Sequence, residues 1–126
     1  MTQVIFFFSY STATDSKISW AVRLFEKWRD ARNAAEVETP ICPAIEDMDS
    51  EQLNYSLSRF INESRKQNGE EYPSKSLREM VIGIQLHLEK KGKILRLLMD
   101  PRFLHLQNTL EWTKKEREKQ GEFIHE

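Results

Sequence analysis

The sequence predicts an all-α fold, a bundle of four principal helices joined by short links. Apolar residues recur at intervals of three and four in four separate stretches, which is the spacing of an amphipathic helix. Glycine and proline number only four each, which is few for an all-β chain, and no hairpin signal joins two alternating stretches. The 126 residues, 39% of them hydrophobic, are enough for one domain with a buried core.

The domain boundaries follow from where the helical pattern begins and ends. We expect residues 1–16 to form an irregular N-terminal tail, residues 17–121 the helical domain, and residues 122–126 a C-terminal tail or the start of a linker. The apolar run Val4–Phe8 is too short to cross a membrane and lacks the basic flank of a signal peptide. We therefore assign that run no function and expect no membrane association.

The first helix is predicted from about Lys17 to Asn33. A polar loop over residues 9–16 precedes it, and Asp15 or Ser16 in that loop can cap the helix. Its apolar stripe consists of Ile18, Ala21, Val22, Phe25 and Trp28. The charged residues of the other side are Arg23, Glu26, Lys27 and Asp30. The simplest interpretation of that side is a solvated face.

Residues 34–48 interrupt the helical pattern, and residues 34–52 are acidic. Pro40 and Pro43 exclude a continuous helix, and six acidic residues occur here without any Lys or Arg. The carboxylates lack the ordered spacing of a calcium loop, so a metal site is not indicated. The pattern favours a solvated, mobile connection.

The second helix is predicted to begin at Asp49, with Gln52 completing a capping box. Its inward face consists of Leu53, Leu57, Phe60, Ile61 and Ser64. The pair Asn68-Gly69 is typical of a helix C-terminus and a turn, so we expect the helix to end there.

The central helix is predicted over residues 74–91, with Ser74 as its N-cap. Its apolar stripe consists of Leu77, Met80, Val81, Ile84 and Leu88. Ile82 and Leu86 fall on the opposite side, and a helix that is apolar on more than one face is usually surrounded by others. Gly92 can provide a left-handed C-cap after lysines that suit the negative end of the helix dipole.

The last helix is predicted to begin at Asp100-Pro101, with Asp as N-cap and Pro as the first helical residue. A short apolar connection, equivalent to about one helical turn, precedes it and contains Ile94, Leu95, Leu97, Leu98 and Met99. The predicted inward residues are Phe103, Leu106, Leu110 and Thr113. Gly121 should end the helix after a highly charged stretch.

Catalytic and metal-binding motifs are not found. The three histidines, His87, His105 and His125, lie in no zinc-binding motif, and no phosphate-binding glycine loop or nucleophile elbow occurs. Cys42 is the single cysteine and is expected to be a free thiol in a loop, in a reducing compartment. We therefore expect no enzyme activity, no cofactor and no metal.

The distribution of charge points to an anionic partner more clearly than the net charge of −1 does. Residues 1–63 hold six basic and ten acidic side chains, whereas residues 64–121 hold 13 basic and eight acidic. Ser74, Lys75 and Ser76 cluster at a helix N-terminus, where free N–H groups, two hydroxyls and an ammonium can converge on one phosphate.

Further donors follow along the same helix. Arg78 and Gln85 have the donors needed to contact base edges in a major groove. Lys90, Lys91 and Lys93 can hold backbone phosphates at the far end. The alternative is an ordinary cap on a soluble helix, and the residues alone leave both interpretations open.

Four segments, taken in order, resemble a known family. Residues 20–28 read Trp-Ala-Val-Arg-Leu-Phe-Glu-Lys-Trp, residues 52–60 read Gln-Leu-Asn-Tyr-Ser-Leu-Ser-Arg-Phe, residues 65–73 read Arg-Lys-Gln-Asn-Gly-Glu-Glu-Tyr-Pro, and residues 100–103 read Asp-Pro-Arg-Phe. This order is similar to the N-terminal part of crypton-type tyrosine recombinases and of their domesticated relatives, the animal zinc-finger MYM-type proteins. The resemblance covers about residues 17–121.

The resemblance implies a core-binding domain, a SAM-like bundle of four or five helices that clamps double-stranded DNA. It implies that the central helix enters or borders the major groove, with Lys75, Ser76 and Arg78 near the DNA. The additional DNA-contact candidates are Arg23, Lys27, Lys114 and Lys115. A DNA partner also leads us to expect an intracellular, nuclear location.

The chain departs from the family at the catalytic residues. Tyrosine recombinases use an Arg, a Lys, a His-x-x-Arg motif and a nucleophilic Tyr, but neither His87 nor His105 is followed by Arg three residues later. A DNA-binding module without catalysis is therefore expected. The alternative is a protein-interaction bundle in which exposed Ile82, Leu86 or Trp112 contacts a partner.

Overall fold

A computed structural model describes residues 12–35, 37–41 and 43–121, and these residues form an all-α bundle, as predicted. The helices are α1 (Thr12–Ala34), α2 (Ser50–Glu63), α3 (Ser74–Lys90) and α4 (Leu104–Lys119). Two short 3₁₀ helices, Ile45–Asp47 and Pro101–Phe103, precede α2 and α4. No strand occurs in the part of the chain that the structure describes.

Three predictions concern residues outside the described ranges. They are the apolar run Val4–Phe8, the loop thiol Cys42 and the C-terminal residues 122–126. Within the described ranges, no helix combines the length and the apolar character needed to cross a membrane.

The first helix begins earlier than predicted. Residues 12–16 are helical, so the loop prediction is wrong for them, and Asp15 lies inside α1 rather than at its cap. The carboxylate of Asp15 instead reaches Lys90 at the end of α3, with Oδ1 3.4 Å from Nζ. Asp15, which the local pattern indicated as a helix cap, thus forms a salt bridge with a residue distant in sequence.

α1 and α3 pack closely against each other at Gly83. A Cβ atom added to this glycine would lie 2.7 Å from the Cβ of Ala21 and 3.3 Å from the carbonyl oxygen of Lys17. Glycine is disfavoured inside helices, so its place here is explained by the space that the crossing helix leaves. The predicted stripes of both helices meet around this contact, and Ala21, Phe25, Met80 and Ile84 are fully buried.

The capping box of α2 is confirmed. The side chain of Asp49 accepts a hydrogen bond from the Gln52 backbone N–H (2.8 Å), and the Gln52 side chain accepts one from the Asp49 N–H (2.9 Å). The predicted inward face is also buried in full. The predicted end at Asn68-Gly69 is wrong, because the helix ends at Glu63, and Gly69 provides a left-handed turn (φ 89°) in the connection that follows.

The connection between α1 and α2 is held against the core, contrary to the prediction of a solvated segment. Ile41, Ile45 and Met48 are buried in the main hydrophobic cluster. Asn33 binds Ile41 through two hydrogen bonds of 2.9 Å, one to its carbonyl oxygen and one from its N–H. Glu38, Asp47 and Asp49 are exposed while these apolar residues pack inward, so the charge count alone was misleading.

The boundaries of α3 were predicted to within one residue, but its N-cap was not. Pro73 occupies the N-cap position and makes no side-chain cap bond, and Ser74 is the first helical residue. At the other end, Gly92 adopts a left-handed conformation (φ 93°), as predicted. The N–H groups of Gly92 and Lys93 reach the carbonyls of Glu89 (3.0 Å) and Leu88 (2.9 Å), which is a Schellman motif.

The start of the last helix matches the prediction, except that its first turn is 3₁₀. The Asp100 carboxylate accepts a hydrogen bond from the Arg102 N–H (2.9 Å), and Pro101 is the first residue of the turn. Hydrogen bonds from the Arg102 side chain and backbone lower the pKa of Asp100. The predicted inward residues are all buried, and Gly121 follows the helix with a φ of 89°.

A hydrogen bond between Glu46 and His87 joins the α1–α2 connection to α3. His87 Nε2 donates to Glu46 Oε2 at 2.5 Å, and this bond is the main cause that lowers the pKa of Glu46 below its ordinary value of 4.5. The charge of Lys91 lowers it further. Because the lowered pKa belongs to the folded state, the stabilisation is present above pH 4.5 and is lost as the pH falls through the folded-state value.

We therefore predict that Glu46→Gln destabilises the chain by about 1 kcal/mol near neutral pH, a value reduced for partial exposure. The difference from the unmodified protein should disappear in acid, as measured by urea unfolding between pH 7 and pH 3. Asp47→Asn, at an exposed neighbouring carboxylate, is the matched control and should show a smaller effect. A constant difference across this pH range would contradict the prediction.

Candidate nucleic-acid interface

Lys75 and Arg78 extend into solvent from the first two turns of α3. Both side chains are exposed, and neither forms a salt bridge with a residue in the described ranges. Ser76 is half-buried, and Ser74 is half-buried with an interaction of its own. The N-cap residue, Pro73, makes no side-chain cap bond, and the positive end of the α3 dipole lies beside the two cations.

Two of the predicted contacts have roles inside the fold. The side-chain oxygen of Gln85 accepts a hydrogen bond from the Leu97 N–H (2.8 Å) and so holds the α3–α4 connection against α3. The Lys93 ammonium donates to the Met48 carbonyl oxygen (2.8 Å). Gln85 is therefore not free to contact base edges in this conformation, and Lys93 is tied to the protein backbone.

Arg23, Lys90 and Lys91 come together at the opposite end of α3. They line an open groove of about 560 Å³ between α1 and α3, together with Asp15 and Glu26. Lys90 is paired with Asp15 there, whereas Arg23 and Lys91 form no salt bridge within the described residues. A helix of 17 residues spans about 25 Å, so this groove is well separated from Lys75 and Arg78.

Lys114 and Lys115 lie on the same end of the bundle as the start of α3. Arg117 Nε donates to the Tyr72 carbonyl oxygen (3.1 Å), and its NH1 lies 3.3 Å from a carboxylate oxygen of Glu71. These contacts place the C-terminal half of α4 beside the residues that precede α3. Both lysines are exposed and unpaired among the described residues, although Glu111 and Glu118 are exposed on the same helix.

Lys27 belongs to neither cluster. It is exposed on α1 and lines a separate pocket with Trp28 and Tyr72. The sequence candidates therefore do not form one cluster. The groups at the start of α3 and on α4 share one end of the bundle, and Tyr72, which lines the Lys27 pocket, lies just before α3 at that end.

The apolar surface also differs from the expectation. Ile82 and Leu86 are half-buried rather than exposed, because the helices and connections beside α3 cover part of their side chains. Trp112 is 59% exposed, as the protein-interaction alternative required, and Leu104 two turns earlier is 56% exposed. Trp112 lines a shallow groove with Asn62 and His105.

Two structurally important residues were not identified from the sequence. Arg32 is buried and binds both α2 and the α1–α2 connection, and Gly83 permits the close contact with α1. Arg32 lies one turn after Trp28 on the apolar side of α1, and this position was the only feature of the local sequence that indicated its burial. In the described ranges, no group of three or more His, Cys, Asp or Glu side chains is arranged to hold a metal ion.

The fold and surface define a small all-α domain in which cations without salt bridges to any described residue lie at both ends of the central helix. The chain belongs to the QRICH1 domain family, because the model of the QRICH1 domain matches residues 15–116. No curated protein and no solved structure matched the chain. These comparisons do not connect it with tyrosine recombinases, so that resemblance enters only as part of a proposal.

Proposed function

We propose that this chain is a non-catalytic module that binds double-stranded DNA, as its resemblance to the core-binding domain of tyrosine recombinases implies. The observation that carries the proposal is the pair Lys75 and Arg78, exposed and without salt bridges among the described residues, in the first two turns of α3. The positive end of the helix dipole and two cations together favour phosphate. Under this proposal the chain acts in the nucleus.

The mode of binding should be contact with phosphates rather than reading of bases. Gln85, which could have contacted base edges, is bonded to Leu97. The half-buried Ile82 and Leu86 follow one and two turns after Arg78 and offer no hydrogen bonds to bases. Phosphate contacts position a protein without reading sequence, so we expect strong salt dependence and weak sequence preference.

The test is a fluorescence anisotropy titration of the chain against a labelled duplex at several salt concentrations. The double variant Lys75→Ala/Arg78→Ala should bind about ten-fold more weakly and lower the slope of log K against log salt by about 2, because two phosphate contacts are lost. Lys119→Ala is a matched control, because this lysine is already 3.5 Å from Glu116. Trp112→Ala is a second control.

An absence of binding, or binding without salt dependence, would contradict the proposal. If the chain binds DNA but the double variant binds equally well, the interface lies elsewhere, and the groove at Arg23 and Lys91 is the next candidate.

A protein-interaction module is the second candidate, and the exposure of Trp112 and Leu104 favours it. Large aromatic side chains are enriched at the centres of protein interfaces. Under this alternative, Trp112→Ala should abolish binding of a protein partner while leaving the helical content unchanged.

A further inference from the structure

A small pocket lies between the C-terminal half of α1, the end of α2 and the connection that precedes α3. We call it the Ser64 pocket; its volume is about 260 Å³. Its apolar wall consists of Leu24, Trp28, Ala31, Phe60 and Tyr72. The rings of Trp28 and Phe60 meet edge to face, with centroids 5.4 Å apart and an interplanar angle of 61°. This wall is already formed before any ligand binds.

The charged residues of the Ser64 pocket leave a positive surplus. Its acid, Glu63, is engaged by Arg32 at 3.1 Å and by Arg59 at 2.5 Å. Its cations are Lys27, which forms no salt bridge within the described ranges, and Arg65, whose salt bridge to Glu71 is long at 3.8 Å. Arg65 also donates through Nη1 to the carbonyl oxygens of Asn62 (3.1 Å) and Ser64 (2.8 Å), which do not neutralise its charge. The pocket can therefore attract a negative group without first breaking a strong salt bridge.

Ser64 supplies the pocket with unused hydrogen-bonding capacity. Its hydroxyl oxygen is buried and has no hydrogen-bond partner, and it is the one side chain in this condition among the described residues. A buried polar group without a partner is costly, and most such groups in folded proteins are bonded. A polar atom of a ligand, reached after a rotation of the serine side chain, can satisfy it.

We propose that the Ser64 pocket docks a short acidic polypeptide segment through one large apolar side chain. The apolar wall receives that side chain, Lys27 and Arg65 attract the flanking carboxylates, and Ser64 bonds a polar atom of the segment. A DNA backbone matches the cations but not the aromatic wall. Neither Lys75 nor Arg78 lines this pocket, and the docking proposal does not depend on the DNA-binding proposal.

The experiment uses two peptides, acetyl-Asp-Glu-Leu-Phe-Glu-Asp-amide and a version with lysine at every acidic position. Each is titrated into the ¹⁵N-labelled full chain, and the Trp28 indole N–H and the amides of Arg65 and Gln67 are followed by NMR. The acidic peptide should shift these signals saturably. Lys27→Glu should weaken the binding of the acidic peptide by at least about five-fold, since the attraction between the lysine and a peptide carboxylate becomes a repulsion.

Lys66→Glu is the matched control, because Lys66 is exposed in the same connection but does not line the pocket. It should weaken binding by less than about two-fold, as expected for screened charge alone. Ser64→Ala should also weaken binding while the spectrum of the free protein keeps its dispersion. A larger loss of peptide affinity in Lys27→Glu than in Lys66→Glu would distinguish the pocket from a general positive surface.

Several outcomes would overturn the proposal. They are an absence of shifts, equal binding of the lysine peptide, an unchanged affinity of Lys27→Glu, and shifts confined to another face. A titration with duplex DNA completes the test. If DNA shifts the Trp28 signal and the acidic peptide does not, the pocket belongs to a nucleic-acid interface instead.

Discussion

Gly83→Ala should destabilise the chain by about 1–2 kcal/mol, although alanine is the better helix former by about 1 kcal/mol. The added methyl group would lie 2.7 Å from the Cβ of Ala21, a distance that real Cβ atoms essentially never show. Neither Ala21 nor the Lys17 carbonyl can rotate away, so α1 must move from α3. Urea unfolding followed by circular dichroism measures the loss.

Ala21→Gly provides the matched test of this explanation. The double variant Gly83→Ala/Ala21→Gly moves the methyl group from position 21 to position 83, so the two Cβ atoms no longer meet. It should therefore be more stable than Gly83→Ala alone. The recovery should be incomplete, because the new methyl group still lies 3.3 Å from the Lys17 carbonyl oxygen. If Gly83→Ala is as stable as the unmodified chain, α1 and α3 do not pack as closely as described.

Arg32→Ala should cost about 2–4 kcal/mol, the largest loss that we expect from a single charged residue. Its guanidinium donates to Glu63 (3.1 Å), to the hydroxyl of Thr39 (3.1 Å) and to the Thr39 carbonyl oxygen. It also lies over the Trp28 ring, 5.8 Å from the centroid. The arginine side chain is only 5% exposed, so solvent screens these contacts little.

Arg59→Ala is the control for Arg32→Ala, because Arg59 pairs with the same carboxylate of Glu63 from an exposed position. Exposed pairs contribute about 0–1 kcal/mol, so this variant should lose much less. Arg32→Lys should be intermediate, since an ammonium keeps the charge but lacks the planar fork. Equal losses in Arg32→Ala and Arg59→Ala would show that the buried contacts do not contribute as we expect.

The two functional proposals depend on different side chains, so one can fail without the other. DNA binding depends on Lys75 and Arg78, whereas peptide docking depends on Lys27 and Ser64. Lys27→Glu in the DNA titration and Lys75→Ala/Arg78→Ala in the peptide titration should therefore each have a small effect. If Lys27→Glu and Lys75→Ala/Arg78→Ala each weaken the binding of both DNA and peptide, the positive charge acts as one general field rather than as two sites.

The sequence by itself determined the features that depend on neighbouring residues. The apolar stripes of the helices, the Asp49–Gln52 capping box, the Asp100-Pro101 start and the left-handed Gly92 are all present as predicted. Helical periodicity and cap geometry act over three to five residues, so their signal is complete within a short stretch. For that reason the all-α fold class could be predicted without any knowledge of tertiary contacts.

Only the tertiary structure decided which polar side chains remain available to a partner. Gln85 and Lys93 were expected on the surface, but each bonds the backbone of a segment distant in sequence. Arg32 is buried because Thr39 and Glu63 come together around it, and Gly83 is required because α1 crosses there. These outcomes depend on which segments become neighbours after folding, and no local pattern of residues records that information.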